Sequence, residues 1–325
     1  MPSHDSAAPS TASSRQAPKS YRILSSVLQD LKIGKGYDGF LYLVESTRNP
    51  PKLQSHCHAE LELNLVVRGT ITYIVNGQRF TFTPRTLLWL FPGHEHQLVD
   101  RADDAQFYVV VFRPSLIEKS CHTPPYEGLT HDHPDHGGLL KTLLQPDAFD
   151  LIRKTMDCLM QGALDPDLLN HEAGFGANSD FSFAHSDPDG LNAGLHHLLM
   201  LSWRSQRDGQ ALGDSVALHP AVHRAIKLLS ESDWPHDLAR LARSCGVSEA
   251  HLSRTFHRQI GVSLTHYRNS IRLGRFWEEY HQPEQKNLTE AAYAAGFGSY
   301  AQFYKVFVQA YRRGPREYLA ESHPA

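Results

Sequence analysis

With 325 residues, 41% of them hydrophobic, the chain is long enough for two domains, each with its own core, and its composition excludes a fibre. No apolar run approaches the roughly 18 residues of a membrane helix, and the first twenty residues lack the apolar stretch of a signal peptide, so no membrane partner and a cytoplasmic location are expected. The net charge of −3 hides an asymmetry. Residues 219–325 hold 14 Lys+Arg against 10 Asp+Glu (+4) and residues 1–218 hold 18 against 25 (−7), which suits a chain whose second half alone meets a polyanion.

Residues 1–20, rich in Ser, Ala and Pro, have too few large apolar side chains to offset the entropy of ordering them and are expected to form a disordered tail. Within 21–120, the segments FLYLV, LELNLVV, ITYIV, RFTFT, TLLWLF and FYVVVF read as short strands, and Asn76-Gly77 as a type I′ hairpin turn, a pattern that predicts a barrel or sandwich. Residues 121–148 are a His, Pro and Gly-rich loop. Its cluster of His131, His133 and His136 with Asp132 and Asp135 suits a solvated loop, a cover for a pocket mouth, or a metal. Helical spacing in Phe149–Met160 and Leu191–Trp203 defines a helical segment at 149–207, whose stripe of Leu191, Leu195, Leu198 and Leu199 serves either contacts between two copies or cover for the barrel. Residues 208–218 read as a linker. Cys57, Cys121, Cys158 and Cys245 form no CxxC pair and are expected to be free, buried thiols.

Side chains alternate along a strand, so His56, His58, Glu62 and Asn64 share one face while Leu61, Leu63, Leu65 and Val67 take the other, and Cys57 falls outside the cluster. FPGHEH then supplies His96. The order His-x-His, Glu, Gly, Pro-Gly-x-x-His resembles the cupin barrel over about seventy residues. That resemblance implies an interior site where His56, His58, Glu62 and His96 are candidate ligands for a divalent metal and, with Asn64, line a pocket for an effector. If the leucine face were the interior instead, the His/Glu face would meet solvent or a covering helix and no cage would exist.

From 219 to 321 the spacing is wholly helical. Pro220 suits a first helical position, and Val222, Ala225, Ile226 and Leu229 share a face. Leu238, Leu241, Ala242 and Cys245 repeat the spacing, Gly246 stops that helix, and Ser248 N-caps another that buries Leu252, Phe256 and Ile260: a helix-turn-helix at about 237–258. A second unit at about 288–310 has Asn287 as N-cap, a Gly296-Phe297-Gly298 turn, and Ser299 capping a helix that buries Phe303 and Phe307; Ser248, Leu252, Arg254 and Phe256 correspond to Ser299, Phe303, Lys305 and Phe307. Ser263–His281 predicts a connecting helix about 28 Å long at ~1.5 Å per residue, long enough to set two reading helices roughly one DNA turn (~34 Å) apart.

The two stretches DLARLARSCGVSEAHLSRTFHRQIGVSLTHYRNSIRL and LTEAAYAAGFGSYAQFYKVFVQAYRRGPREY resemble the paired helix-turn-helix module of AraC/XylS transcription regulators over about one hundred residues. The resemblance implies that Ala250, Ser253, Arg254, Ala301, Tyr304 and Lys305 face base edges, with Ser299 at the start of the second reading helix. His251, His257, Arg258, Arg312 and Arg313 would hold phosphates. Phe276, Glu279 and Tyr280 stand where relatives usually show a small residue and leucines, and Val308 where a basic residue is common. The fold expected is two-domain α+β, a cupin-like barrel with following helices and then an all-α domain with two helix-turn-helix motifs. The function expected is an effector-controlled regulator, an activator by resemblance, with double-stranded promoter DNA, a small polar effector such as a sugar, RNA polymerase and a second copy of the chain as partners. No cofactor is required, and a divalent metal in the barrel is the one candidate. The rival is a metal-dependent cupin enzyme, an isomerase or dioxygenase, with an accessory helical domain.

Overall fold

The computed structural model describes residues 27–28, 30–31, 33–45, 55–130, 138–164, 183–212, 216–230, 237–280, 286–311 and 313–322. The tail at 1–20, the cluster of His131, Asp132, His133, Asp135 and His136, and Arg312 lie outside them.

The strands are β1 (Val27–Leu28), β2 (Gly39–Glu45), β3 (His56–Cys57), β4 (Leu61–Arg68), β5 (Ile71–Val75), β6 (Gln78–Phe82), β7 (Thr86–Leu90), β8 (His96–Arg101), β9 (Gln106–Phe112), β10 (Leu139–Leu143), β11 (Ala163–Leu164), β12 (Ala184–His185), β13 (Gln210–Ala211) and β14 (Val216–Ala217). Two six-stranded sheets result, ordered β1-β3-β8-β5-β6-β14 and β13-β10-β7-β4-β9-β2, with β11 and β12 paired apart. Asn76 (φ 47°) and Gly77 (φ 75°) make the turn between β5 and β6, both in the left-handed region a type I′ turn demands.

Register decides which face of β4 is inside. Leu63 pairs with Trp89 and Val110, and Trp89 meets Trp203 edge to face at 5.5 Å. Trp203 belongs to the helix Pro188–Asp208, whose Leu191, Leu195, Leu198 and Leu199 are all buried. The leucine face of the sheet is therefore covered by helices, and the face holding Glu62 and Asn64 looks across at the first sheet. A solvent-facing His/Glu surface is ruled out. So is a role for the leucine stripe between two copies of the chain: burying one leucine is worth roughly 1.5–3 kcal/mol, and these four are already committed to the sheet.

Two stretches differ from their reading as loop and linker. Residues 121–148 contain a 3-10 helix (Pro124–Thr130), β10, and the start of the helix Pro146–Met160. Within 208–218, β13 pairs with β10 and β14 with β6, each adding a strand at one edge of its sheet.

The helical half has two cores. Val222, Ala225, Leu241, Leu252, Phe256, Ile260 and Tyr267 form the first, and Phe276, Ala291, Ala292, Phe297, Phe303 and Phe307 the centre of the second. The connecting helix, Leu264–Tyr280, has 17 residues and runs from one to the other. Asn287 and Glu290 complete a reciprocal capping box at the second unit: Asn287 Oδ1 accepts from the Thr289 and Glu290 amides, and Glu290 accepts from the Asn287 amide. Asn287→Ala is expected to lower the stability of this unit by about 1 kcal/mol, read as a lower urea midpoint at unchanged slope.

Candidate functional site

Inside the barrel, β3 and β8 bring His56 opposite His96, and His58 follows β3 directly. Each of the three rings offers a nitrogen within 4.8 Å of the others. The ring centres of His56 and His96 are 4.3 Å apart, those of His58 and His96 5.1 Å. Across from them, Glu62 on β4 sets Oε2 3.1 Å from His58 Nε2 and 3.6 Å from His96 Nε2. His58, Glu62, Asn64 and His96 are all buried, and His56 is half-buried. Cys57 is buried and lies outside the group.

The hydrogen bonds behind this cluster fix its chemistry. His58 Nδ1 is 3.0 Å from the Glu60 carbonyl, and His96 Nδ1 is 3.0 Å from the His94 carbonyl. A carbonyl only accepts, so each Nδ1 carries the proton and donates, and a neutral ring then turns a bare lone pair on Nε2 inward. Asn64 Nδ2 donates to Glu62 Oε1 at 2.7 Å, which leaves Oε2 to the histidines. Burial alone would push the Glu62 carboxyl up, but His58 and His96 outweigh it and hold the group well below the usual carboxylate range. With both rings neutral, three acceptor atoms converge with no donor among them, a deficit that a proton on one ring or a bound cation would make up; His96 Nε2 is buried with no hydrogen-bond partner. Such a cluster suits a cation: imidazole nitrogens oriented by carbonyls, plus a carboxylate, are the donor set of Zn, Fe, Mn or Ni.

Tyr42 and Tyr73, which the sequence reading passed over, stand close enough that burial and then the Glu62 charge push both hydroxyls well above the usual phenol range. Their signal was parity: Tyr42 pairs with Val109, which pairs with Asn64, so all three share the inner face.

At the other end of the chain, Ser248 Oγ accepts from the His251 amide at 3.3 Å to start the helix Glu249–Ile260, which ends at Gly261 in a left-handed turn (φ 91°). Leu252, Thr255, Phe256 and Ile260 are buried; Ala250, His251, Arg254, His257 and Arg258 are exposed on the opposite side, and Ser253 is half-buried. In the second unit, Ser299 Oγ accepts from the Gln302 amide at 3.2 Å. Phe303 and Phe307 of the helix Tyr300–Tyr311 are buried, and Ala301, Tyr304 and Lys305 are exposed, as is Arg313 beyond it. Each unit thus buries its apolar stripe and leaves a polar face open. The structure brings His56, His58, Glu62, Asn64 and His96 together as one group and distributes the residues expected to face DNA over two separate helices, with Arg313 beyond the second.

A barrel with a buried polar cluster, joined to a duplicated helix-turn-helix unit, defines a two-part class of protein: a ligand-binding domain fused to a DNA-reading one. Comparison with known families agrees, the AraC-like ligand binding domain matching residues 44–171 and a helix-turn-helix domain matching residues 241–321. The chain thus carries an AraC-like ligand binding domain and a helix-turn-helix domain. It is similar to the HTH-type transcriptional regulator GlxA of Rhizobium meliloti (strain 1021), at 33% identity over 98 residues, and the match spans 30% of this chain and 30% of that regulator's length. Among solved structures it is similar to ToxT from Vibrio cholerae (12% identity, covering 88% of this chain and 98% of that one, TM-score 0.33). It is also similar to the AraC-like transcriptional activator CuxR (14% identity, covering 80% of this chain and 78% of that one, TM-score 0.29). No helix among the described residues is long and apolar enough to cross a membrane.

Proposed function

We propose that this chain is a one-component transcription regulator in which occupation of the barrel changes how the helical half engages promoter DNA. The observation that carries this reading is the pair of open polar helix faces, Ala250, His251, Arg254, His257 and Arg258 in one unit and Ala301, Tyr304 and Lys305 in the other, each held by an N-cap and a buried apolar stripe. In it, Arg254 and Lys305 read base edges, and His251, His257, Arg258, Arg312 and Arg313 hold phosphates.

The pocket reading goes further: His56, His58, Glu62 and His96 hold a divalent cation, which supplies the positive charge that the convergent acceptors lack. A polar effector such as a sugar would then meet the cation, Asn64 and the two tyrosines. The same donor set would serve an isomerase or dioxygenase. Fusion to a duplicated DNA reader favours sensing over turnover, and no catalytic role is assigned to these side chains. Activation, with RNA polymerase as partner, is the mode we favour. A second copy of the chain would dock through some surface other than the leucine stripe.

A gel-shift series on the DNA upstream of its own coding sequence, with metal content measured on the same preparation, tests both parts. Arg254→Ala is expected to lose about 1–3 kcal/mol of discrimination at one base position, seen as relaxed sequence preference. Arg258→Ala should weaken all sequences alike and make the salt dependence shallower. Binding that ignores sequence in the unaltered protein would overturn the regulator reading.

A further inference from the structure

The barrel and the first helix-turn-helix unit share a core. Strand β8 turns His96 and Leu98 inward and Gln97 and Val99 outward. Val99, with Ile74 of β5, is buried in the same cluster as Val222, Ile226, Phe256 and Tyr267. At its centre the Tyr267 hydroxyl donates to Gln97 Oε1 at 2.6 Å, between a strand of the barrel and the connecting helix, with both residues buried. The Tyr267 ring meets Phe256, on the first recognition helix, edge to face at 5.1 Å. Gly261, where that helix ends, lies against Arg79 and Asp100 of the barrel, and Gly77 lies against His223. Among the described residues, the core of the second unit contains none from the barrel.

We infer that the first helix-turn-helix unit is the output of the pocket, and that Tyr267 is the positioning residue through which the state of the cluster reaches it. The inference rests on the cation reading above. Its path is short: His96 holds the orphaned nitrogen inside the barrel, the next residue holds the hydrogen bond outside it, and the partner of that bond packs on the recognition helix. Whatever fixes or frees the His96 ring biases β8, and β8 cannot shift without moving Gln97 against Tyr267. Coupling of this kind is reciprocal, so DNA must alter cation affinity by the same factor that the cation alters DNA affinity.

The test uses the full chain, Co²⁺ as probe, and a duplex selected from a random pool by the unaltered protein. Duplex affinity is measured with and without Co²⁺, and Co²⁺ affinity, by its visible absorption, with and without duplex. The expected ratio between the two states is at least about fivefold, the lower end of typical coupling, and equal in both directions. Tyr267→Phe should keep the Co²⁺ spectrum and affinity while the ratio collapses to about one. Gln97→Met, on the barrel side of the same bond, should do likewise. Lys305→Ala should lower duplex affinity in both states and keep the ratio. A ratio that survives both Tyr267→Phe and Gln97→Met overturns the role of this bond. A wild-type ratio of one in protein that takes up Co²⁺ overturns the coupling and leaves the pocket reading standing. Failure of the wild type to take up Co²⁺ overturns the pocket reading and the coupling with it.

Discussion

Phe276→Ala is expected to unfold the second helix-turn-helix unit while leaving the first intact. Phe276 is fully buried, 4.4 Å from the Phe303 ring and 6.0 Å from that of Phe307, with Trp277 and Tyr280 packed beside it. Removing a buried phenylalanine costs about 3–5 kcal/mol, and the core it belongs to is small and, among the described residues, shares none with the first. A unit with so little apolar burial has a net stability of the same order. The family resemblance would suggest the opposite, since a small residue is usual at this position. Here the facing helix, Leu288–Ala294, contributes Ala291 and Ala292, with Ala295 next to its end, to the same core, so the large ring on one side is matched by methyl groups on the other. Alanine at 276 would leave a cavity with nothing nearby to fill it. Hydrogen exchange should show lost protection across 288–311 with 249–260 unchanged. Duplex affinity should fall and its salt dependence flatten, because the phosphate contacts proposed for the second unit would be lost.

How much of this architecture was legible beforehand follows from how each element buries its side chains. Strands rich in apolar residues, such as β4, β5 and β9, announced themselves although both of their faces are buried. Strand β8, HQLVDR, did not: His96 and Leu98 face the barrel interior while Gln97 and Val99 face the helical half, so the strand is buried on both sides with polar residues on each. Alternation cannot mark such a strand, and with it went the hydrogen bond between Gln97 and Tyr267 that joins the two halves. Tyr267 was equally invisible, since its period placed it in the connecting helix but nothing local shows that its hydroxyl reaches a residue 170 positions away. The N-caps and the glycine stop, by contrast, are local devices, and Ser248, Asn287, Ser299 and Gly246 all act where the sequence places them.

The choice between the two possible interiors of the barrel was open for a related reason. Parity separates the leucines of β4 from Glu62 and Asn64 but does not say which set is inside. The answer lies in Trp89 and Trp203, more than one hundred residues apart in sequence, which put helices on the leucine face. Once that face is taken, the polar set has only the interior left.

Glu62→Gln has two opposed outcomes, and its sign reports what balances the cluster. If a cation normally supplies the missing charge, the metal-free protein holds three converging acceptors, and a glutamine amide supplies the donor they lack: its nitrogen faces His58 Nε2 while its oxygen keeps the bond from Asn64. Metal-free stability should then rise by about 1–3 kcal/mol, the cost ordinarily carried by a buried polar group without a partner. Co²⁺ affinity should fall by more than the roughly 10–100-fold lost when an outer-shell partner of a ligand is removed, because Glu62 contacts the site itself. If instead a proton on His58 or His96 balances the carboxylate, the same substitution leaves a buried imidazolium without its counter-charge. Breaking such a pair costs about 3–5 kcal/mol. Urea unfolding of metal-free Glu62→Gln beside the wild type separates the two, since one predicts a higher midpoint and the other a lower one. A midpoint that falls, in a variant that still binds Co²⁺ as tightly as wild type, would leave the cluster a structural ion pair and remove the cation from the sensing pocket.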